Sequence, residues 1–291
     1  MYELIKVTEQ CYYIDCPAKI GIYRTSAGAV LIDSGNNKDS GKKALKQLVA
    51  NGWHLSAIYN THSHADHIGG NAYLQRETGC RIYARGIECD FTNHPILESA
   101  FLYGGYPYSD LRHKFLLAEE SRAEPLTDAA LPEGLSLLPL PGHSFDMVGF
   151  KTADGIVYLA DALSSKETLE KYAVSFIYDV GAYLQTLGEV KKMDAALFVP
   201  SHAAPTENIV PLAEYNIDKV HEIADTILKI CKTKTSFEGI LRGICERYSF
   251  TMTHEQYVLI GSTLRSYLAW LKNEGCLSAD FTENLLSFAA G

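Results

Sequence analysis

Thr61-His62-Ser63-His64-Ala65-Asp66-His67-Ile68-Gly69-Gly70 is the stretch on which the reading of this chain turns. The preceding Ser56-Ala57-Ile58-Tyr59-Asn60 has strand character, and the following residues carry helical period up to a glycine stop at Gly79. A histidine loop therefore lies at the carboxyl end of a strand and opens a helix ending at Gly79. Ligands gather at that end of the strands in open α/β sheets. With ten histidines and fifteen aspartates in 291 residues, an H-x-H-x-D-H match arises by chance in about one such chain in a thousand.

The spacing has a physical reading. In an extended loop, side chains two apart point the same way, so His62 and His64 can clasp one ion. Asp66 and His67, at the turn into the helix, face a second. A catalytic zinc takes about three protein ligands and a water, so further donors must arrive from elsewhere. Three are in place: His143 in Pro141-Gly142-His143-Ser144 after the strand-like LSLLPL, Asp161 at the end of GIVYLAD, and His202 after ALFVP. Asp33, closing AVLID, is either an acceptor that orients one of these imidazoles or a plain turn residue.

Outward from this stretch, YELIKV, CYYID, IGIYRT and AVLID read as strands and SGKKALKQLVANG as a helix, so an α/β layered core is expected. Residues 87–131 interrupt the rhythm with aromatics and Gly-Pro punctuation, and are expected to form an inserted helical or loop segment. Strand signals return at LSLLPL, VGFKT and GIVYLAD, helices at about 165–192, and the strand series is expected to close at AALFVPSHAAP. Two domains follow from this: a catalytic one over residues 1–205, and a helical one over 206–291 with a long amphipathic helix, three shorter helical stretches and NLLSFAA.

Composition narrows the class. A 47% hydrophobic chain of this length buries a sizeable core. The start MYELIKVTEQ lacks a signal-peptide pattern and no later run is membrane-length, so a cytoplasmic protein without membrane contact is expected. Seven scattered cysteines, Cys11, Cys16, Cys80, Cys89, Cys231, Cys245 and Cys276, contain no C-x-x-C pair and are expected to be reduced. A formal net charge of −9 argues against sequence-independent nucleic-acid binding.

The pattern H-x-H-x-D-H followed in order by His143, Asp161 and His202 resembles the metallo-β-lactamase superfamily across residues 1–205. That resemblance implies an αββα sandwich binding two divalent metal ions, zinc first with iron or manganese as alternatives. It implies His62, His64 and His143 on one ion, Asp66, His67 and His202 on the other, and Asp161 between them. The sequence departs from the family pattern at Ala160, where glycine is frequent, and at the residues flanking His202. The tail pattern TSFEGILRGICERY, then HEQYVLIGSTLRSYLAWLKNEGCL, resembles a winged-helix unit. It carries eight Lys and Arg against eleven Asp and Glu over residues 206–291, so packing on the catalytic domain or a homo-oligomer interface is expected of it rather than nucleic-acid binding.

The chemistry implied is hydrolysis by a metal-bridging hydroxide, since two ions about 3.5–4 Å apart bring a bridging water to a pKa near ~7. Asp66 is the catalytic candidate, holding that hydroxide or taking its proton. A small-molecule ester, thioester or lactone is the expected substrate. An RNA-processing phosphodiesterase and a mononuclear-iron persulfide dioxygenase remain as alternatives. Lys166, Tyr108, Tyr172 and His113, with Tyr103 and Tyr106, are candidate substrate contacts by position alone.

Overall fold

β-Branched and aromatic residues alternate through the first thirty positions, and they pair there as an antiparallel meander: β1 (Glu3–Lys6), β2 (Cys11–Asp15), β3 (Ile20–Thr25) and β4 (Gly28–Ile32). The computed structural model describes residues 2–291. After helix α1 (Lys38–Ala50), strand β5 (Leu55–Tyr59) joins β4 in parallel. Helices α2 (Ala65–Ile68) and α3 (Asn71–Thr78) lead to β6 (Arg81–Ala84), which lies parallel to β5. The single helix expected up to Gly79 is thus two pieces. At the break, Ser34 Oγ accepts from Gly70 N–H at 3.1 Å, and a Cβ on Gly70 would lie 2.4 Å from the Ser34 carbonyl oxygen. The loop after β4 sits too close for a continuous helix with ordinary side chains.

Residues 87–131 supply helices α4 (Gly86–Asn93) and α5 (Ile96–Tyr103), and also a strand not expected there, β7 (Ala123–Pro125), parallel to β6. Three residues ending in proline carry almost no strand signal, and proline is tolerated here because β7 is the sheet's edge. The first sheet therefore runs β1 to β7 in chain order.

The second sheet contains β8 (Leu135–Pro139), β9 (Val148–Thr152), β10 (Ile156–Ser164) and, after α6 (Lys166–Tyr172) and α7 (Val180–Val190), β11 (Leu197–His202), in the order β11-β10-β9-β8. Between the sheets lie Tyr23, Val30, Tyr59, Phe150, Tyr158 and Val199, all buried. Tyr158 reaches across to donate to the Tyr12 carbonyl at 2.9 Å, and its ring lies 2.8 Å from where a Cβ on Gly21 would be. Only glycine lets the sheets approach so closely. On the outer face of the first sheet, Ala44 and Leu48 of α1 and Leu74 of α3 pack on Ile14, Leu31 and Ile58. On the outer face of the second, Leu187 of α7 packs with Phe198. The result is the αββα sandwich.

Past His202 come α8 (Val210–Ile230), β12 (Thr235–Ser236), α9 (Phe237–Tyr248), α10 (His254–Asn273), β13 (Leu277–Thr282) and β14 (Leu285–Ala290). Here two expectations are corrected. Strands do not end at residue 202, and the tail carries two helices after α8 rather than three helical stretches. NLLSFAA is largely β14, which pairs with β13 and β12 in a three-stranded sheet. Its turn, Glu283-Asn284, takes positive φ at both positions (52° and 64°), the geometry that a two-residue hairpin needs. Because Glu-Asn is not the usual Asn-Gly or Asp-Gly signal, the hairpin is silent in the sequence. Val220, Ile227, Ile240, Leu264, Tyr267 and Phe288 of this tail share one buried cluster with Leu187 and Phe198. Among the described residues no helix is long and apolar enough to cross a membrane.

Candidate metal centre

The site is built where β4 and β5 end. Asp33 follows β4 with a buried side chain and a φ of 64°, a left-handed conformation that aspartate tolerates better than most residues. That turn aims its carboxylate at the histidine loop. Asp33 Oδ1 accepts from Thr61 N–H at 2.8 Å, while Oδ2 accepts from the Thr61 hydroxyl at 2.7 Å and from His67 Nδ1–H at 2.8 Å. Since the Thr61 hydroxyl proton goes to Asp33, its oxygen accepts from His62 Nδ1–H at 3.0 Å. One carboxylate thus fixes two imidazoles with Nε2 facing inward. His202, at the end of β11, is fixed the same way by donating Nδ1–H to the Pro17 carbonyl at 2.9 Å.

The inward atoms form overlapping groups. His64 Nδ1 lies 3.1 Å from both His62 Nε2 and His143 Nε2. His202 Nε2 is 3.2 Å from Asp66 Oδ2 and 3.1 Å from Asp161 Oδ2, and His67 Nε2 is 3.2 Å from Asp161 Oδ1. Three sets of donors are close enough to hold a cation: His62, His64 and His143; His62, His67 and Asp161; Asp66, His67 and His202. Asp161 spans the groups, with Oδ2 also 3.6 Å from His143 Nε2. It is brought there by a break in β10, whose pairing with β11 shifts register on either side of Ala160, a residue with φ of 50°. Glycine would adopt that positive φ at lower cost than alanine.

These residues fit divalent metal. Nitrogens 2.0–2.1 Å from a tetrahedral zinc lie roughly 3.3–3.4 Å from one another, close to the spacing seen between the three imidazoles. His67 Nε2 and Asp161 Oδ1 are buried 3.2 Å apart without the geometry of a hydrogen bond and with no other partner, which a protein rarely tolerates unless something else satisfies them. Electrostatics separates the two halves. Burial, then the neighbouring imidazoles, holds His62 far below the usual histidine range. Burial lowers His64 to about 4 and His143 to about 3, keeping their lone pairs free. Burial opposes charge on His67 and His202 as well, but Asp161 and Asp66 outweigh it and raise both, His202 to about 10. That half of the site carries a field that favours positive charge.

Sequence reasoning does not find Glu88, Glu98 or Phe176. Glu88, buried on α4, accepts from Ser63 N–H (2.9 Å) and the Ser63 hydroxyl (2.6 Å) with one oxygen. With the other it accepts from the Ser144 hydroxyl and from Asp146 N–H (3.1 Å). It staples the loop bearing His62 and His64 to the turn bearing His143. Glu98 of α5 places Oε1 3.6 Å from His64 Nε2, and burial, then Glu88 and Asp66, pushes its carboxyl up to about 8. Phe176 packs edge-on against His64 and His143, with ring centroids 5.1 Å and 5.7 Å apart. All three come from segments whose sequence has no metal-site pattern.

The positional candidates for substrate contact scatter. Lys166 is 3.7 Å from Glu170 and lies over the Tyr215 ring, Tyr108 bonds His254 Nδ1 at 2.8 Å, and His113 packs on Phe115. Tyr103 meets Tyr108 edge-on, and Tyr106 accepts from Arg112. None of these contacts involves the histidine cluster. Tyr172 lines a cleft together with Phe176, so of this set it approaches the cluster's apolar wall.

Glu88→Gln is expected to weaken metal affinity about 10- to 100-fold, because an amide offers one acceptor where two are needed and turns donors toward donors. Competition with a chromophoric chelator measures this. Unchanged affinity would show that the staple is dispensable.

Residues 13–202, which contain all seven donors, match the family described as the metallo-beta-lactamase superfamily, and the chain belongs to it. It is similar to a lactamase-like protein, adaB, of Aspergillus niger, 27% identical over 186 residues, covering 62% of this chain and 48% of that one. It is also similar to an atrochrysone carboxyl ACP thioesterase of Aspergillus fumigatus, 24% identical over 203 residues, covering 68% of this chain and 54% of that one. The chain spans about half the length of these two fungal relatives. In fold, it is similar to a metallo-beta-lactamase family protein of Thermus thermophilus, with a TM-score of 0.74 at 18% identity over 98% of this chain and 100% of that one.

Proposed function

We propose that this chain is a hydrolase that works through two divalent metal ions, zinc in the first instance, on a small-molecule ester, thioester or lactone. The observation that carries the reading is the convergence of seven donors from strand ends and from the break in β10, three imidazoles held neutral on one side and a carboxylate-rich group on the other. His62, His64 and His143 would hold one ion, Asp66, His67 and His202 the other, with Asp161 shared. Bound there, the ions supply Lewis acidity and a water that loses a proton near neutral pH.

The chain's own residues do the rest. Asp33 and Pro17 fix which imidazole nitrogen faces inward. Asp66, with its side chain 40% exposed and Oδ2 turned to His202, is the carboxylate best placed to orient a nucleophile and accept its proton. Phe176 keeps water from one side of His64 and His143. No general acid is assigned, and a thiolate leaving group, with a pKa near ~8.5, departs without one. A thioester therefore suits this site, and the similarity to a protein named as a thioesterase supports that choice.

Elemental analysis of the purified protein is expected to give about two divalent ions per chain, and prolonged chelation to remove hydrolysis of acyl thioesters, restored by zinc. One iron per chain with sulfur-dependent oxygen uptake would overturn the hydrolase reading in favour of a dioxygenase. Cleavage of single-stranded RNA without any thioester, ester or lactone activity would overturn the substrate class.

A further inference from the structure

A cleft of about 350 Å³ lies between the segment that joins α6 to α7 and the amino-terminal half of α10. Val174, Phe176, Phe250, Leu259 and Ile260 form its walls, and the half-exposed Tyr172 also lines it. Phe176 is the shared wall: it lines the cleft and also packs on His64 and His143. One side chain thus separates the cleft from the histidine cluster.

On the other side of the cluster, His202 borders a second cleft of about 470 Å³, and there the lining includes Asp15, Lys19 and Glu167. The two clefts differ in degree: the first is the more apolar, walled by large hydrocarbon and aromatic side chains, while the second has smaller apolar residues and one more charged side chain besides His202. A ligand lying across the cluster places its hydrocarbon portion on the Phe176 side, where burial removes apolar surface from water, and its polar portion on the His202 side. The apolar cleft has one cation, Lys171, and one carboxylate, Glu255, in its lining, so it offers no net positive charge to a phosphate backbone.

We propose that the cleft between the α6–α7 segment and α10 receives the apolar acyl chain of the substrate, so that the tail of the protein selects substrates by acyl length. The proposal rests on the hydrolase reading above and adds to it the acyl class and the residues that read it. Buried fully, each methylene improves binding about fourfold, so partial burial in a half-open cleft gives about twofold per methylene.

The test uses the full chain loaded with zinc and a series of thioesters that share one thiol and carry acetyl, butanoyl or octanoyl groups. In the unmodified protein, kcat/KM is expected to rise on the order of 50-fold from acetyl to octanoyl, mainly through KM. Leu259→Arg, which places a charge in the wall, is expected to lower the octanoyl-to-acetyl ratio at least about tenfold. Phe250→Ser, at a different position on the wall, should act in the same direction, with circular dichroism showing which variants are folded. Calorimetric titration with octanoate and acetate supplies a readout independent of turnover: octanoate is expected to bind the unmodified protein more tightly, and Leu259→Arg to erase that preference.

A flat chain-length series with measurable acetyl turnover would overturn the acyl cleft while leaving the hydrolase reading intact. So would a preference that both folded variants retain. If no thioester is cleaved, the choice of a thioester over an ester or lactone fails on its own account, and the cleft is then judged by calorimetry, where equal binding of octanoate and acetate overturns it and a preference lost in Leu259→Arg supports it.

Discussion

Replacing Asp66 with Asn is expected to lower turnover of any substrate on the order of 10³-fold while leaving the fold unchanged. The asymmetry follows from the position of the side chain. Asp66 is 40% exposed and meets His202 and His67 only through Oδ2, at 3.2 Å and 3.7 Å. No buried donor of the scaffold depends on it, so the variant should unfold within about 0.5 kcal/mol of the parent. Asparagine keeps the shape but loses both the negative charge that would help hold a cation beside His67 and His202 and the ability to accept a proton. Activity assays, metal content and a thermal melt on the same preparation check all three points. More than a tenth of the parental turnover would contradict the role given to this carboxylate.

Asp33→Ala is expected to have the opposite balance, a large loss of stability together with the loss of metal affinity. Thr61 N–H, the Thr61 hydroxyl and His67 Nδ1–H all donate to this one buried carboxylate. Leaving three buried donors without an acceptor costs about 1–3 kcal/mol each before relaxation, and alanine at a φ of 64° adds about 1 kcal/mol. Allowing for relaxation, a net loss of roughly 3–5 kcal/mol would lower Tm by about 10 °C in a chain of this size. Freed from its acceptor, His67 no longer presents a fixed nitrogen, and affinity for metal should fall about 10- to 100-fold. Asp33→Asn keeps a residue at ease in the left-handed region, so it should recover part of the stability but not the affinity, since its amide cannot accept from both His67 and Thr61. A melt and a chelator competition on the two variants separate these effects; equal stability of Asp33→Ala and the parent would refute the account.

The sequence shows best what is local. Two histidines two apart, with an Asp-His pair just beyond, are a short-range pattern, and His143, Asp161 and His202 are recognisable because each follows a strand-like run. The structure brings these seven together. What holds them is not local. Glu88 meets Ser63 and Ser144 from 25 and 56 residues away, and nothing around it in the sequence marks it as different from a surface glutamate. Phe176 is one of eleven phenylalanines, and its place against His64 depends on how the α6–α7 segment folds back. The strands missed are β6, β7, β12, β13 and β14: β6, β7 and β12 are only two to four residues long, β7 ending in Pro125, and β13 and β14 are joined by a hairpin turned by Glu283-Asn284. Asp33 is visible as a strand-end residue, but only its backbone angle explains how a single side chain reaches both Thr61 and His67.

Helix α10 is gripped along one side and open along another. Leu264, Tyr267, Leu268 and Leu271 sink into the cluster shared with α7 and β11, while Glu255, Gln256 and Leu259 border the cleft beside Phe176. Of the four α10 residues at that cleft only Ile260 also belongs to the cluster that holds the helix; Glu255, Gln256 and Leu259 do not. Mutational drift at the bordering positions therefore leaves the scaffold and the seven donors where they are, and the lineage of this chain is free to change what it admits without rebuilding how it reacts.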